Sequence, residues 1–136
     1  MRDSAASHVT VNVSNVARSS RFYGVLFDFL GFERIYSGKS GFAYWDGSFS
    51  IWFKKGRLAK GFVRGRCGFD HMALRASSRR QVDDLQRLLK HNGARILHPA
   101  NEYPEYVKGY YAVSFFDPDG IIWELLYLPK KKGAYS

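Results

Sequence analysis

The sequence predicts an α+β fold built from two βαβββ units in tandem. Three observations carry that prediction. Short strand-like segments and two helix-length apolar stripes follow one another in the same order in each half of the chain. Each stripe ends in a glycine, Gly31 in the first half and Gly93 in the second. The landmarks also recur at nearly constant spacing: His71 lies 63 positions after His8, and Gly93 lies 62 after Gly31. Asp119-Gly120 follows Asp46-Gly47 by 73, the excess falling in a proline-containing loop. Self-similarity of this kind is the signature of an internal duplication.

The elements follow in order. Val9, Val11 and Val13 alternate with polar residues from His8 onward, the period of a half-buried strand. Ser14 and Asn15 offer capping oxygens to a helix whose stripe is Val16, Phe22, Tyr23, Leu26, Phe27 and Leu30. Strands are expected over 32–37, 42–45 and 49–53, with turns at Gly38, Gly41 and Asp46-Gly47. A basic loop from Lys54 to Cys67 carries Lys54, Lys55, Arg57, Lys60, Arg64 and Arg66 without one acidic residue. A strand is then expected over 69–76, and Ser78-Arg79-Arg80-Gln81 fits a capping box. Val82, Leu85, Leu88 and Leu89 line the second helix. Strands over 95–97, 110–116 and 121–127 complete the second unit, the last two joined by the turn Asp117-Pro118-Asp119-Gly120. Pro99 and Pro104 mark the segment after Leu97 as loop, and the tail from Pro129 through Lys130, Lys131 and Lys132 reads as frayed.

Length and composition narrow the classes of function. The 136 residues suit a single domain spanning 1–136, with a first unit at about 7–54 and a second at about 68–128. A composition 46% hydrophobic and 17% aromatic excludes intrinsic disorder. One cysteine, Cys67, excludes an internal disulfide and suits a reducing compartment, with the residue read as a small apolar or inert thiol. The start, MRDSAASHV, has no secretory signal, and no segment is long and apolar enough to span a bilayer. The expected location is cytoplasmic. Lys and Arg exceed Asp and Glu by 21 to 12, a net charge of +9. That excess reads as solvated surface around a cleft that favours anions, because no nucleic-acid motif accompanies it.

Each unit opens with a histidine at the mouth of its first strand, His8 and His71. Glu124 lies in the last strand of the second unit among Ile121, Ile122, Trp123, Leu125 and Leu126, where an unpaired carboxylate is costly. Two imidazoles and one carboxylate suffice to hold a divalent first-row metal with positions left open. The same residues are equally compatible with strand-end histidines and an edge glutamate.

The motifs resemble those of the vicinal oxygen chelate superfamily, which includes glyoxalase I, extradiol dioxygenases, fosfomycin-resistance thiol transferases and bleomycin-resistance proteins. The matching segments are His8-Val9-Thr10-Val11-Asn12-Val13, Arg21-Phe22-Tyr23, Leu30-Gly31-Phe32 and Asp70-His71-Met72-Ala73-Leu74. The most specific runs from Phe116 through Asp117-Pro118-Asp119-Gly120 to Trp123-Glu124. The resemblance implies a half-open eight-stranded cleft, the glyoxalase-like fold, and a homodimer in which first-unit ligands of one chain meet second-unit ligands of the other. It implies that His8, His71 and Glu124 bind a divalent ion (Mn, Fe, Ni, Co or Zn). The activity implied is a metal-dependent enzyme of lyase, thiol-transferase or dioxygenase type, acting on a small oxygen-bearing substrate, for which the basic loop would favour an anion. The alternative is a metal-free protein that sequesters a ligand, as bleomycin-resistance proteins do.

One departure concerns a fourth ligand that glyoxalase I carries in the first unit. Matching Asp46-Gly47 to Asp119-Gly120 sets Ile51 opposite Glu124, with Ser50 or Trp52 one residue away. None is a good metal ligand. Thr10 matches a substrate-contacting threonine of the fosfomycin transferases, whose potassium loop is replaced here by 105–111. Trp52, with Trp45 and Phe49, is expected to line an apolar cleft, and Tyr106 and Tyr110 to contact substrate beside Tyr103. His91 and His98 are expected on the surface, and Tyr111 in strand packing.

Overall fold

The computed structural model describes residues 5–58 and 61–129; Lys60 of the basic loop and the lysines of the tail lie outside them. The chain divides into two compact units, Met1–Gly61 and Phe62–Ser136. The first contains β1 (His8–Val13), α1 (Val16–Leu30), β2 (Glu33–Gly38), β3 (Gly41–Trp45) and β4 (Ser50–Lys55). The second contains β5 (His71–Arg75), α2 (Arg79–His91), β6 (Ile96–Glu102), β7 (Tyr111–Phe116) and β8 (Ile122–Tyr127). Each unit holds one four-stranded sheet, ordered β1-β4-β3-β2 and β5-β8-β7-β6. The expected βαβββ order is therefore present twice. In both sheets the first strand pairs in parallel with the last, and the other pairings are antiparallel.

Local chemistry explains the boundaries. The Asn15 side chain accepts from the Arg18 backbone N–H at 2.9 Å and starts α1. Ser78 caps α2 in the same way, accepting from Gln81 N–H at 3.1 Å. Gln81 reaches back one residue further than a capping box requires, to the N–H of Ser77 at 2.7 Å. Valines 9, 11 and 13 face inward along β1 while His8, Thr10 and Asn12 are exposed, as their alternation predicts.

The first core is aromatic. Phe42 and Phe53 stack with centroids 4.7 Å apart, Tyr23 lies 4.0 Å from Phe53, and Phe27 packs 4.8 Å from Tyr44. Gly41 permits the close approach of β3 to β4, since a Cβ there would sit 2.3 Å from the Phe53 carbonyl oxygen. In the second unit, Val82, Leu85 and Leu89 of α2 are buried, as are Val113, Phe115, Trp123 and Leu125 of the sheet that α2 contacts.

One element exceeds its expected length. The segment read as proline loop after Leu97 continues as strand to Glu102. Pro99 is tolerated because β6 is an edge strand whose register shifts at His98 and again before Asn101. The Ala100 N–H is satisfied by the Gln86 side chain of α2 at 2.6 Å.

Two stability predictions follow from this packing. Ser19 is fully buried in α1, and its hydroxyl has no hydrogen-bond partner among the described residues. Ser19→Ala removes that orphan and improves helix propensity, so it is expected to raise stability by about 1 kcal/mol in urea unfolding. The Tyr111 hydroxyl ties β7 to α2 by donating to Asp83 at 2.5 Å. That bond, followed by burial, raises the phenol above its ordinary pKa of 10.0. A folded-state pKa above the unfolded one gives stability that is complete below pH 10 and lost as pH rises through the folded value. Tyr111→Phe is expected to cost about 1 kcal/mol at neutral pH. It should also flatten the decline in stability above pH 10.

Candidate functional site

In the second unit, the parallel register sets His71 beside Ile122 and Ala73 beside Glu124. The position of β8 is fixed by a turn built on one buried carboxylate. Asp117 Oδ1 accepts from the N–H groups of Asp119 at 2.9 Å and Ile121 at 2.8 Å. Its backbone N–H donates to the Ile121 carbonyl at 2.8 Å. Asp117, Pro118, Asp119 and Gly120 are thus a structural device that delivers Glu124 to its place.

The imidazole of His71 is held between two carboxylates. Its Nδ1 lies 2.6 Å from Asp70 Oδ1, and its Nε2 lies 3.3 Å from Glu124 Oε2. When Nδ1 carries the proton to Asp70, Nε2 presents a lone pair toward an oxygen that also only accepts. A proton or a cation between them resolves the conflict. Two donors on one divalent ion at ~2.0–2.2 Å lie about 3.0–3.4 Å apart, which matches the observed separation. A carboxylate on the far nitrogen is also the usual outer support of a metal-bound histidine. The chemistry of the pair therefore fits a metal. Among the described residues no group of three or more His, Cys, Asp or Glu is arranged to hold one. His71 and Glu124 are brought together, whereas His8 belongs to the first unit.

Glu124 is the better buried of the pair, its side chain 14% exposed against 42% for His71. Its second oxygen, Oε1, accepts from the Tyr110 hydroxyl. Both ligand candidates open onto a cavity of about 270 Å³ walled by Tyr103, Tyr106 and Tyr110, with Arg64, His98 and Ser114 on its border. Tyr106 meets Tyr110 edge-on at 5.4 Å, and Tyr103 meets Tyr110 edge-on at 6.3 Å. Burial, then the charge of Glu124, pushes the Tyr103 phenol above its ordinary value, so it stays a proton donor at neutral pH. Beneath them Ala112, Leu126 and Leu128 form an apolar floor against which Tyr103, Val107 and Tyr110 pack.

The first unit places its expected residues on one open groove of about 680 Å³. His8, Thr10 and Trp52 line it together with Tyr36 and Lys54. Thr10 pairs with Trp52 across β1 and β4, and the indole N–H donates to Ser50 Oγ at 3.0 Å. Trp52 and Tyr36 present a tilted pair of aromatic rings, 5.7 Å apart at 31°. His8 Nδ1 lies 3.2 Å from Ser7 Oγ.

Two expectations are corrected. Trp45 and Phe49 are not part of this groove: Phe49 closes the hairpin by donating its N–H to Asp46 Oδ1 at 2.8 Å, and Trp45 ends β3. The residue opposite Glu124 is Trp52 rather than Ile51. Strand pairing aligns His8 with Ser50 and His71 with Ile122, and two residues further on lie Trp52 and Glu124. The carboxylate equivalent to Asp46 is Asp117, not Asp119, because each accepts the N–H groups that close its turn. Ile51 instead faces the core and is fully buried. The residue that sequence reasoning missed is Asp70, whose signal was the Asp-His pair at a strand mouth, while Arg64 of the basic loop lines the cavity. His98 is exposed as expected but borders the cavity. Cys67 is an exposed free thiol.

Similarity to known proteins agrees with this architecture. Residues 5–125 match the Glyoxalase/Bleomycin resistance protein/Dioxygenase superfamily. The chain belongs to that superfamily, the vicinal oxygen chelate proteins. It is 30% identical over 122 residues to the uncharacterised protein YqjT of Bacillus subtilis (strain 168), covering 88% of this chain and 95% of that one. A crystal structure of a glyoxalase candidate from Bacillus halodurans superposes with a TM-score of 0.79 at 30% identity, covering 91% and 96% of the two chains. The fosfomycin resistance protein FosX of Listeria monocytogenes shares the fold, with a TM-score of 0.68 at 23% identity and coverage of 95% and 97%. No helix among the described residues is long and apolar enough to cross a membrane.

The tyrosine wall depends on one turn. Gly109 has φ +86, and a Cβ there would sit 2.6 Å from Pro129 Cγ. The turn closes through the Tyr110 N–H to the Val107 carbonyl at 3.0 Å. Gly109→Ala is expected to destabilise the protein by about 1–3 kcal/mol in chemical unfolding. It should also perturb the near-ultraviolet circular dichroism of the tyrosines.

Proposed function

We propose that this protein is a metal-dependent enzyme whose ion is held by His71 and Glu124, with His8 as third ligand and a small oxygen-bearing anion as substrate. The observation that carries the reading is the His71 Nε2 to Glu124 Oε2 separation of 3.3 Å, with Asp70 behind the ring. His8 enters on family resemblance, as does a homodimer in which His8 of one chain serves the pair of the other. A divalent ion here would supply Lewis acidity toward substrate oxygens as negative charge develops on them. The chain's own groups supply the rest. Arg64 at the cavity border attracts and orients the anion, and the Tyr103 hydroxyl is a donor for a substrate oxygen. Tyr106, 69% exposed, forms the outer wall. In the first unit, Thr10 and Trp52 offer a hydroxyl and an aromatic face for substrate. Mn, Fe, Ni, Co and Zn are all compatible with two imidazoles and a carboxylate, and the reaction types, lyase, thiol transferase or dioxygenase, enter on family resemblance. A cytoplasmic location suits the exposed thiol of Cys67.

The Tyr36 and Trp52 wall supports a second reading, a metal-free protein that sequesters a flat ligand. Elemental analysis of the purified protein separates the two. The enzyme reading expects close to one divalent ion per chain, falling below about a tenth in His71→Ala and Glu124→Ala because each variant loses one of the few protein donors to the ion. Metal content unchanged in both variants would sink it. Ligand binding that survives exhaustive chelation without turnover would establish the second reading.

A further inference from the structure

We propose that Tyr110 is a positioning residue that restricts Glu124 to one coordinating oxygen; the inference rests on the metal reading above. The carboxylate has two oxygens with different partners. Oε1 accepts from the Tyr110 hydroxyl, and Oε2 faces His71 Nε2 at 3.3 Å. With Oε1 engaged by a phenol, Glu124 offers a metal a single oxygen, and further coordination positions are left to substrate. His71 is fixed from behind by Asp70, so each member of the pair has its own outer support.

Tyr110 is itself well determined. Its N–H donates to the Val107 carbonyl at 3.0 Å, and its carbonyl accepts from Tyr103 N–H at 2.9 Å. Its ring packs on the floor formed by Ala112, Leu126 and Leu128, and meets Tyr103 and Tyr106 edge-on. A side chain held on that many sides fixes the direction of its hydroxyl. Tyr111, the next residue, donates to Asp83 on α2 and serves as an internal comparison with the same chemistry aimed elsewhere.

The test uses cobalt(II), whose visible absorption weakens as its coordination number rises. Wild-type protein, Tyr110→Phe and Tyr111→Phe are titrated with the ion alone, and both the dissociation constant and the band intensity are read. Tyr110→Phe is expected to bind about tenfold more weakly, the lower end of the usual cost of losing an outer-shell partner. Its band should weaken as the freed Oε1 joins the metal, while Tyr111→Phe leaves constant and band as in wild type. Equal constants and equal bands for wild type and Tyr110→Phe would overturn the inference and leave the metal reading standing. An equal loss in Tyr111→Phe would also overturn it, by showing a general loosening of β7. Failure of the wild-type protein to bind cobalt would remove the metal reading and this inference with it.

Discussion

The arrangement of the second unit depends on the parallel pairing of β5 with β8. An antiparallel pair can be joined by a tight hairpin, but a parallel pair must be connected the long way round. Here α2, β6 and β7 all lie between the two strands in sequence. The pairing brings a histidine from the start of the unit beside a glutamate from its end, 53 positions later. Everything chemical at the site follows from that. The one-residue precision it requires comes from Asp117, whose carboxylate holds the turn before β8. A slip of one residue would turn Glu124 toward α2 and Trp123 toward the cavity.

The same scaffold in the first unit carries different chemistry. Its parallel pair, β1 and β4, presents His8 and Thr10 opposite Ser50 and Trp52. An indole stands where the second unit has a carboxylate, so among the described residues the contact of an imidazole with a carboxylate lies in the second unit. The fold thus supplies two equivalent stages, one carrying an imidazole against a carboxylate and one carrying a pair of aromatic rings. Lys54 in the first and Arg64 beside the second give each a cation near its opening.

Much of this was legible in the sequence because it rests on local chemistry. Valine alternation, asparagine and serine caps, and glycine stops each act within a few residues, and the strands and helices they predict are present. His71 and Glu124 were legible because a carboxylate amid Ile122, Trp123 and Leu125 demands a partner. What escaped were non-local compensations. Pro99 reads as a loop residue until Gln86, from a helix, satisfies the neighbouring N–H and keeps the edge strand intact. The counterpart of Glu124 was misplaced because the repeated Asp-Gly pair is a weaker landmark than the carboxylate that closes each turn. Tyr110 reads in the sequence as a substrate contact, and its bond to Glu124, a residue fourteen positions away in β8, is not legible there.

The two carboxylate-closed turns differ by one residue in length, yet both deliver the following strand in register with its parallel partner. The turn therefore absorbs an insertion that would otherwise have exchanged the two faces of the strand. Duplicated halves built this way can diverge freely at the outward positions of their last strands while the inward positions go on meeting the same helix. A change of chemistry in one half can then start from a substitution on the face turned away from the helix, with no repacking beneath it. For a scaffold that hosts many reactions, that separation of what is varied from what is conserved in shape is a direct route to new activities.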